Sequence, residues 1–89
     1  MKAIVTVVGK DQVGIIAAVC VKLAEYNVNV LDISQTVMQG YLTMMMVVDV
    51  SACTVPVAEL VEKMEKMGKE RGLSVRLQRE DIFEAMHRI

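Results

Sequence analysis

The residues best suited to chemistry lie in one polar turn, Gly9-Lys10-Asp11-Gln12-Val13-Gly14-Ile15, between a β-branched apolar run and a helical pattern. A helix that begins after such a turn presents backbone amides with partial positive charge and no intrahelical acceptor, so this corner can hold a small anion such as a carboxylate. Gly14 lets helix and strand approach closely, and the same closeness exposes the amides of Val13 and Ile15. Asp11 is a helix cap or turn residue, or else the partner of a ligand's ammonium group. Asn27 and Asn29 flank the start of the second strand as turn formers, or as donors and acceptors for a bound amino acid. Asp32 and Gln35 on that strand are weaker candidates.

Other chemistries lack their parts. His87, the single histidine, stands beside Met86 and Arg88 with no metal or catalytic partner nearby, and reads as an exposed tail residue. Gly9 and Gly14 have phosphate-loop spacing, but Ile15-Ile16 stand where a Lys-Ser or Lys-Thr pair is needed. Carboxylates on the second helix alternate with lysines as on a solvated face. Adjacent strand residues point in opposite directions, so Met44, Met45 and Met46 cannot converge on one ion and serve core and interface packing. Cys20, on the buried side of the first helix, and Cys53 show no CxxC spacing and read as reduced thiols. An acylphosphatase-like reaction needs an arginine in the first turn. The first arginine is Arg71, and Lys10 is a poor replacement for a bidentate fork. RNA stacking needs aromatics on the central strands, where only Tyr41 stands. No catalytic residue, metal or cofactor is expected.

The elements that position the corner follow from periodicity. Residues 2–8 read as a strand buried on both faces, and residues 13–26 as a helix with Ile16, Val19, Cys20, Leu23 and Ala24 inward. Residues 28–39 form a half-wetted edge strand, with Leu31, Ile33 and Val37 opposite Asp32, Ser34 and Thr36. Gln39-Gly40 turns the chain into a third strand, residues 41–50, apolar on both faces. Something must cover its second face. Pro56 starts a second helix with Val57, Leu60, Val61, Met64 and Met67 inward, ended by Gly68 or Gly72. Leu73, Val75 and Leu77 mark a last one-faced strand, and Ile82, Met86 and Ile89, with Phe83 alongside, mark a short C-terminal helix that covers the open face of its own chain or a neighbour's. The order predicts an α+β, ferredoxin-like βαββαβ sandwich, a four-stranded antiparallel sheet with both main helices on one face.

The 89 residues make one domain, 1–89, whose 54% hydrophobic content exceeds what a small globule hides. A homo-oligomer, with a dimer favoured, is the consequence. A formal net charge of −1 gives no general attraction for nucleic acid or an anionic membrane. The apolar run after Met1-Lys2 is too brief for a secretory signal or a span, so the expected location is cytoplasmic.

Gly9-Lys10-Asp11-Gln12-Val13-Gly14-Ile15, followed by Asn27-Val28-Asn29-Val30-Leu31-Asp32-Ile33-Ser34-Gln35 and the tail from Gln78, resembles the ACT domain along the whole chain, and in particular its small stand-alone members of bacteria and archaea. The resemblance implies a regulatory fold that pairs side by side or otherwise oligomerises and often binds an amino acid between subunits. It places the ligand against Asp11, Gln12, Val13, Gly14 and Ile15, with the second strand of the other subunit, at Asn27 and Asn29, completing the site. This chain departs from many relatives at Gln12, where an arginine is common. The leading expectation is a non-catalytic, ligand-responsive module signalling to another protein; the alternative is a pure oligomerisation domain with no ligand.

Overall fold

The computed structural model describes residues 1–86, so the expectations for His87 and Ile89 lie outside the described residues. The chain runs β1 (Lys2–Lys10), α1 (Ile15–Glu25), β2 (Asn29–Met38), β3 (Tyr41–Asp49), α2 (Val57–Glu70), β4 (Ser74–Arg79) and α3 (Glu80–Met86). The strands form one sheet in the order β2-β3-β1-β4, each neighbouring pair antiparallel. This is the ferredoxin-like βαββαβ sandwich. The two strands that read as apolar on both faces, β1 and β3, are central, where neighbours hydrogen-bond both edges.

Register decides what each face carries, because residues directly opposite in an antiparallel ladder point to the same side. Ala3/Val48, Val5/Met46 and Val7/Met44 pair across β1 and β3, and all six are fully buried. Ile15, Val19 and Leu23 of α1 and Leu60, Met64 and Met67 of α2 close over them. Full burial of each large side chain here contributes about 1.5–3 kcal/mol, before chain entropy is set against it. Much of this core is methionine: Met44, Met46 and Met64 are fully buried, and Met67 is nearly so.

Several boundaries differ from the sequence reading. Strand β1 continues through Gly9 and Lys10, which pair with Leu42 and Tyr41, so the turn is shorter than the polar composition suggests. Helix α1 begins at Ile15, not at residue 13, because Gly14 takes a left-handed φ of 84° and sets Val13 outside the helix. Its buried stripe is Ile15-Val19-Leu23; Ile16 and Ala24 face outward and Cys20 is half-buried against the core. This helix is apolar on nearly every side, so periodicity alone does not fix which side turns inward. Pro56 is the residue before α2 rather than its first, and Gly72, φ 71°, follows its end. Gly68 lies inside the last turn, where an added Cβ would stand 2.6 Å from Val75 Cγ2, so it brings α2 down onto β4. Gln39 and Gly40, φ 50° and 81°, form the expected hairpin turn. In β2 a bulge between Val30 and Asp32 leaves Leu31 without a ladder partner.

The face opposite α1 and α2 carries Ile4, Thr6, Val8, Thr43, Met45 and Val47. Helix α3 packs against β1 and β4. Ile4 is only 8% exposed, as it must be if α3 crosses that end of the face.

Candidate functional site

The corner is built by the end of β1, the start of α1 and the far end of β2. Asp11 is tied down through its backbone, its N–H donating to the Gly40 carbonyl at 2.8 Å, which docks the turn on the β2–β3 hairpin. Three residues later Gly14 reverses the chain at φ 84° and ψ 7°, a conformation that costs a residue with a Cβ about 1–2 kcal/mol. The Ala18 N–H to Gly14 carbonyl bond, 2.9 Å, closes the first helical turn. The amides of Ile15, Ile16 and Ala17 lie ahead of it, and no side chain caps them.

Those amides border a cavity of about 260 Å³. Asp11, Gln12, Gly14 and Ile16 line one side, and Gln35, Val37 and Leu42 the other. An ideal Cβ on Gly14 would meet nothing within 4 Å, so this glycine serves the left-handed turn and not a close approach of helix to strand. A close approach of another kind occurs at Gly9, where a Cβ would stand 2.5 Å from Cδ2 of Leu73 in the loop between α2 and β4.

The predicted residues divide into three groups. Asp11, Gln12, Gly14 and Ile15 meet at the cavity, although Asp11 does not cap the helix and Gln12 Nε2 donates to the Arg71 carbonyl at 3.1 Å, bracing the turn against the end of α2. Val13 points away, fully exposed, into a separate groove with Ala17, Val21 and Arg71. Asn27 and Asn29 lie at the other end of α1 and β2. Asn27, φ 59°, donates its side-chain amide to the Ala52 carbonyl at 3.0 Å, and Asn29 pairs with Asp49. From Asn29 to Val37 is about 26 Å along the strand at ~3.3 Å per residue, so one chain cannot bring the asparagines to Gly14.

Gln35 and Val37 occupy the place on β2 that faces the corner. Sequence reasoning ranked Gln35 low and gave Val37 no role in the site. The signal lay in register: Gln35 opposes Met44 and Val37 opposes Leu42, both on the helix side of β3.

The described ionisable groups with displaced pKa values lie away from the corner. Hydrogen bonds from Ser51, helped by the Met1 ammonium at 3.5 Å, hold the Asp49 carboxyl below the ordinary aspartate range. The Arg79 guanidinium, 2.7 Å away, does the same for Asp81. The corner itself offers backbone donors, one carboxylate, two carboxamides and small apolar walls, a set that can bind and orient a zwitterion. Among the described residues no group of three His, Cys, Asp or Glu side chains is placed to hold a metal ion, and no helix is long and apolar enough to cross a membrane.

Comparison with known proteins shows the family and the fold. The sequence profile described as the ACT domain matches residues 2–78. A UPF0237 protein of Bifidobacterium longum is 53% identical over 88 residues, covering 99% of this chain and 98% of the relative. An ACT domain protein from Streptococcus pneumoniae superposes with a TM-score of 0.82 at 45% identity, covering 94% of each chain. The regulatory subunit of aspartate kinase from Thermus thermophilus superposes with a TM-score of 0.65 at 29% identity, over 86% of this chain and 50% of that one.

Proposed function

This chain belongs to the ACT domain family, and from that premise we propose that it is a non-catalytic regulatory module that self-associates, binds a small amino acid at the subunit boundary and signals to a partner protein. The observation that carries the reading is the Gly14 corner: uncapped helix amides for a carboxylate, Asp11 for an ammonium group, and Ile16, Val37 and Leu42 for a short side chain, around about 260 Å³. A cavity of that size suits a small amino acid better than a nucleotide.

Symmetry supports the shared site. Strand β2 is a free edge, and the surface around it is apolar: Leu31, Ile33, Val37, Ile16 and Val21 are 46, 40, 53, 38 and 59% exposed. A two-fold axis normal to the sheet at that edge sets the second β2 antiparallel to the first. The start of one β2, with Asn29 and the neighbouring Asn27, then approaches the end of the other, where Gln35 and Val37 face the corner. Across that axis Asn27 and Asn29 reach the site from the second copy, and Asp11, Gln12, Gly14 and Ile15 form the home side, with Val13 turned away from it. Both cysteines are free, which suits a reducing cytoplasm.

Isothermal titration calorimetry with the proteinogenic amino acids tests the reading. Saturable heat with at least one small amino acid is expected, abolished by Asp11→Ala and weakened by Gln35→Ala. No heat and no thermal shift with any of them would leave only a scaffold.

A further inference from the structure

The sheet face away from α1 and α2 is uneven in height and in charge. At one end of it α3 packs against β1 and β4, and at that same end β2 and β3 carry Asp32 and Asp49, with Lys2 beside them. Helix α3 adds Glu80, Asp81 and Glu84, of which Asp81 is paired with Arg79. The remainder, the cross-strand rows through Met45, Val8 and Tyr41, has no helix upon it among the described residues. Its apolar side chains Val8, Met45, Tyr41 and Met38 are 43, 40, 55 and 69% exposed, and among the described residues its charged side chains are Lys10 and Arg76. One end is raised and acidic; the remainder is low, apolar and cationic.

The geometry points to a two-fold pairing of this face with a second copy of the chain, in which each α3 lies on sheet that the other copy's α3 leaves open. Two in-plane axes are available, each setting α3 on uncovered sheet of the other copy, and charge selects between them. An axis across the strands sets raised end against low end and brings Glu80 and Glu84, one helical turn apart, toward the other copy's Lys10 and Arg76. An axis along the strands sets the two helices at the same end, over Asp32 and Asp49, where like charges repel. This contact is separate from the β2 edge and does not depend on a ligand at Gly14. Four strands at ~4.8 Å spacing and nine residues at ~3.3 Å give a footprint on the order of 500–600 Å² per copy. That is below the ~800 Å² per partner of a standard stable interface, so this dimer depends on concentration.

Sedimentation velocity over a concentration series reads the contact, in a Val21→Asp background that removes edge pairing. Arg76→Glu and the double variant Glu80→Lys/Glu84→Lys are each expected to weaken association by ~10-fold or more, and an equimolar mixture of the two to recover it to within ~3-fold, because each then meets its opposite. Circular dichroism verifies folding, and Glu84→Lys alone replaces the double variant if that fails to fold. A wild-type face that stays monomeric throughout, an association constant indifferent to Arg76→Glu, or a mixture no tighter than its components would each overturn the proposal.

Discussion

The two ends of helix α1 are built on opposite plans. At its C-terminal end every nearby strand end is tied: Asn27 to the Ala52 carbonyl, Thr54 to the Tyr26 carbonyl at 3.0 Å, Val50 to the Met1 carbonyl at 2.9 Å, and Asp49 to Ser51 and the chain's first ammonium. At its N-terminal end Gly14 has nothing within 4 Å of a potential Cβ, the leading amides are uncapped, and a cavity opens beside them. The difference teaches where the fold keeps its stability and where it keeps its donors available. A left-handed residue occurs at each end, but Asn27 fills its turn with a hydrogen bond and Gly14 leaves its turn empty.

Substitutions can break this contrast. The largest effect is expected from Leu23→Ala, which removes a fully buried side chain from the tied end and should cost about 2–5 kcal/mol in urea denaturation. Ile16→Ala beside the cavity should stay under about 1 kcal/mol, since that side chain is 38% exposed. Next, Asn27→Ala loses an amide bond and places a less suitable residue at φ 59°, for about 1–2 kcal/mol. Asn27→Gly keeps the conformation and should cost less, so the difference between the two variants isolates the backbone part. Gly14→Ala should cost about 1–2 kcal/mol through its own backbone conformation, with no clash against other residues; a much larger loss would mean the corner is tighter than its geometry.

The smallest effect concerns Asp49, whose folded pKa is depressed. A depressed carboxylate contributes stability above its unfolded pKa and loses it as pH falls through the folded value. Asp49→Asn should therefore lower Tm slightly at neutral pH, and the two proteins should converge as acid protonates the native aspartate. Equal Tm values at neutral pH would detach this end's ionic contact from stability.

The architecture was legible because its signals were redundant. Ala3–Val8 and Leu42–Val50 each lack a consistently polar face, which marks central strands, and the one-faced runs mark edges. The corner was located but not resolved. Asp11 reads as a cap by type, yet the strand runs on through Lys10 and the Gly40 carbonyl captures Asp11's amide, a long-range bond that no local pattern announces. The phase of α1 was misplaced because residues 15–21 are all apolar, and only the sheet beneath chooses Ile15, Val19 and Leu23. Val37's part depends on alignment with Leu42, and the bulge at Leu31 interrupts the alternation from which such a register is read.

The thioethers beneath the helices carry a consequence for packing. Met64 and Met67 on α2 and Met44 and Met46 on β3 are unbranched, polarisable chains with several rotatable bonds, whereas leucine or isoleucine there would lock into fewer shapes. Unbranched chains of this kind fill irregular gaps by changing rotamer, so this layer should accept methionine-to-leucine exchanges one at a time at small cost. Gln12 grips the Arg71 carbonyl at the end of α2, so the segment that rests on this methionine layer is also joined to the loop ahead of α1.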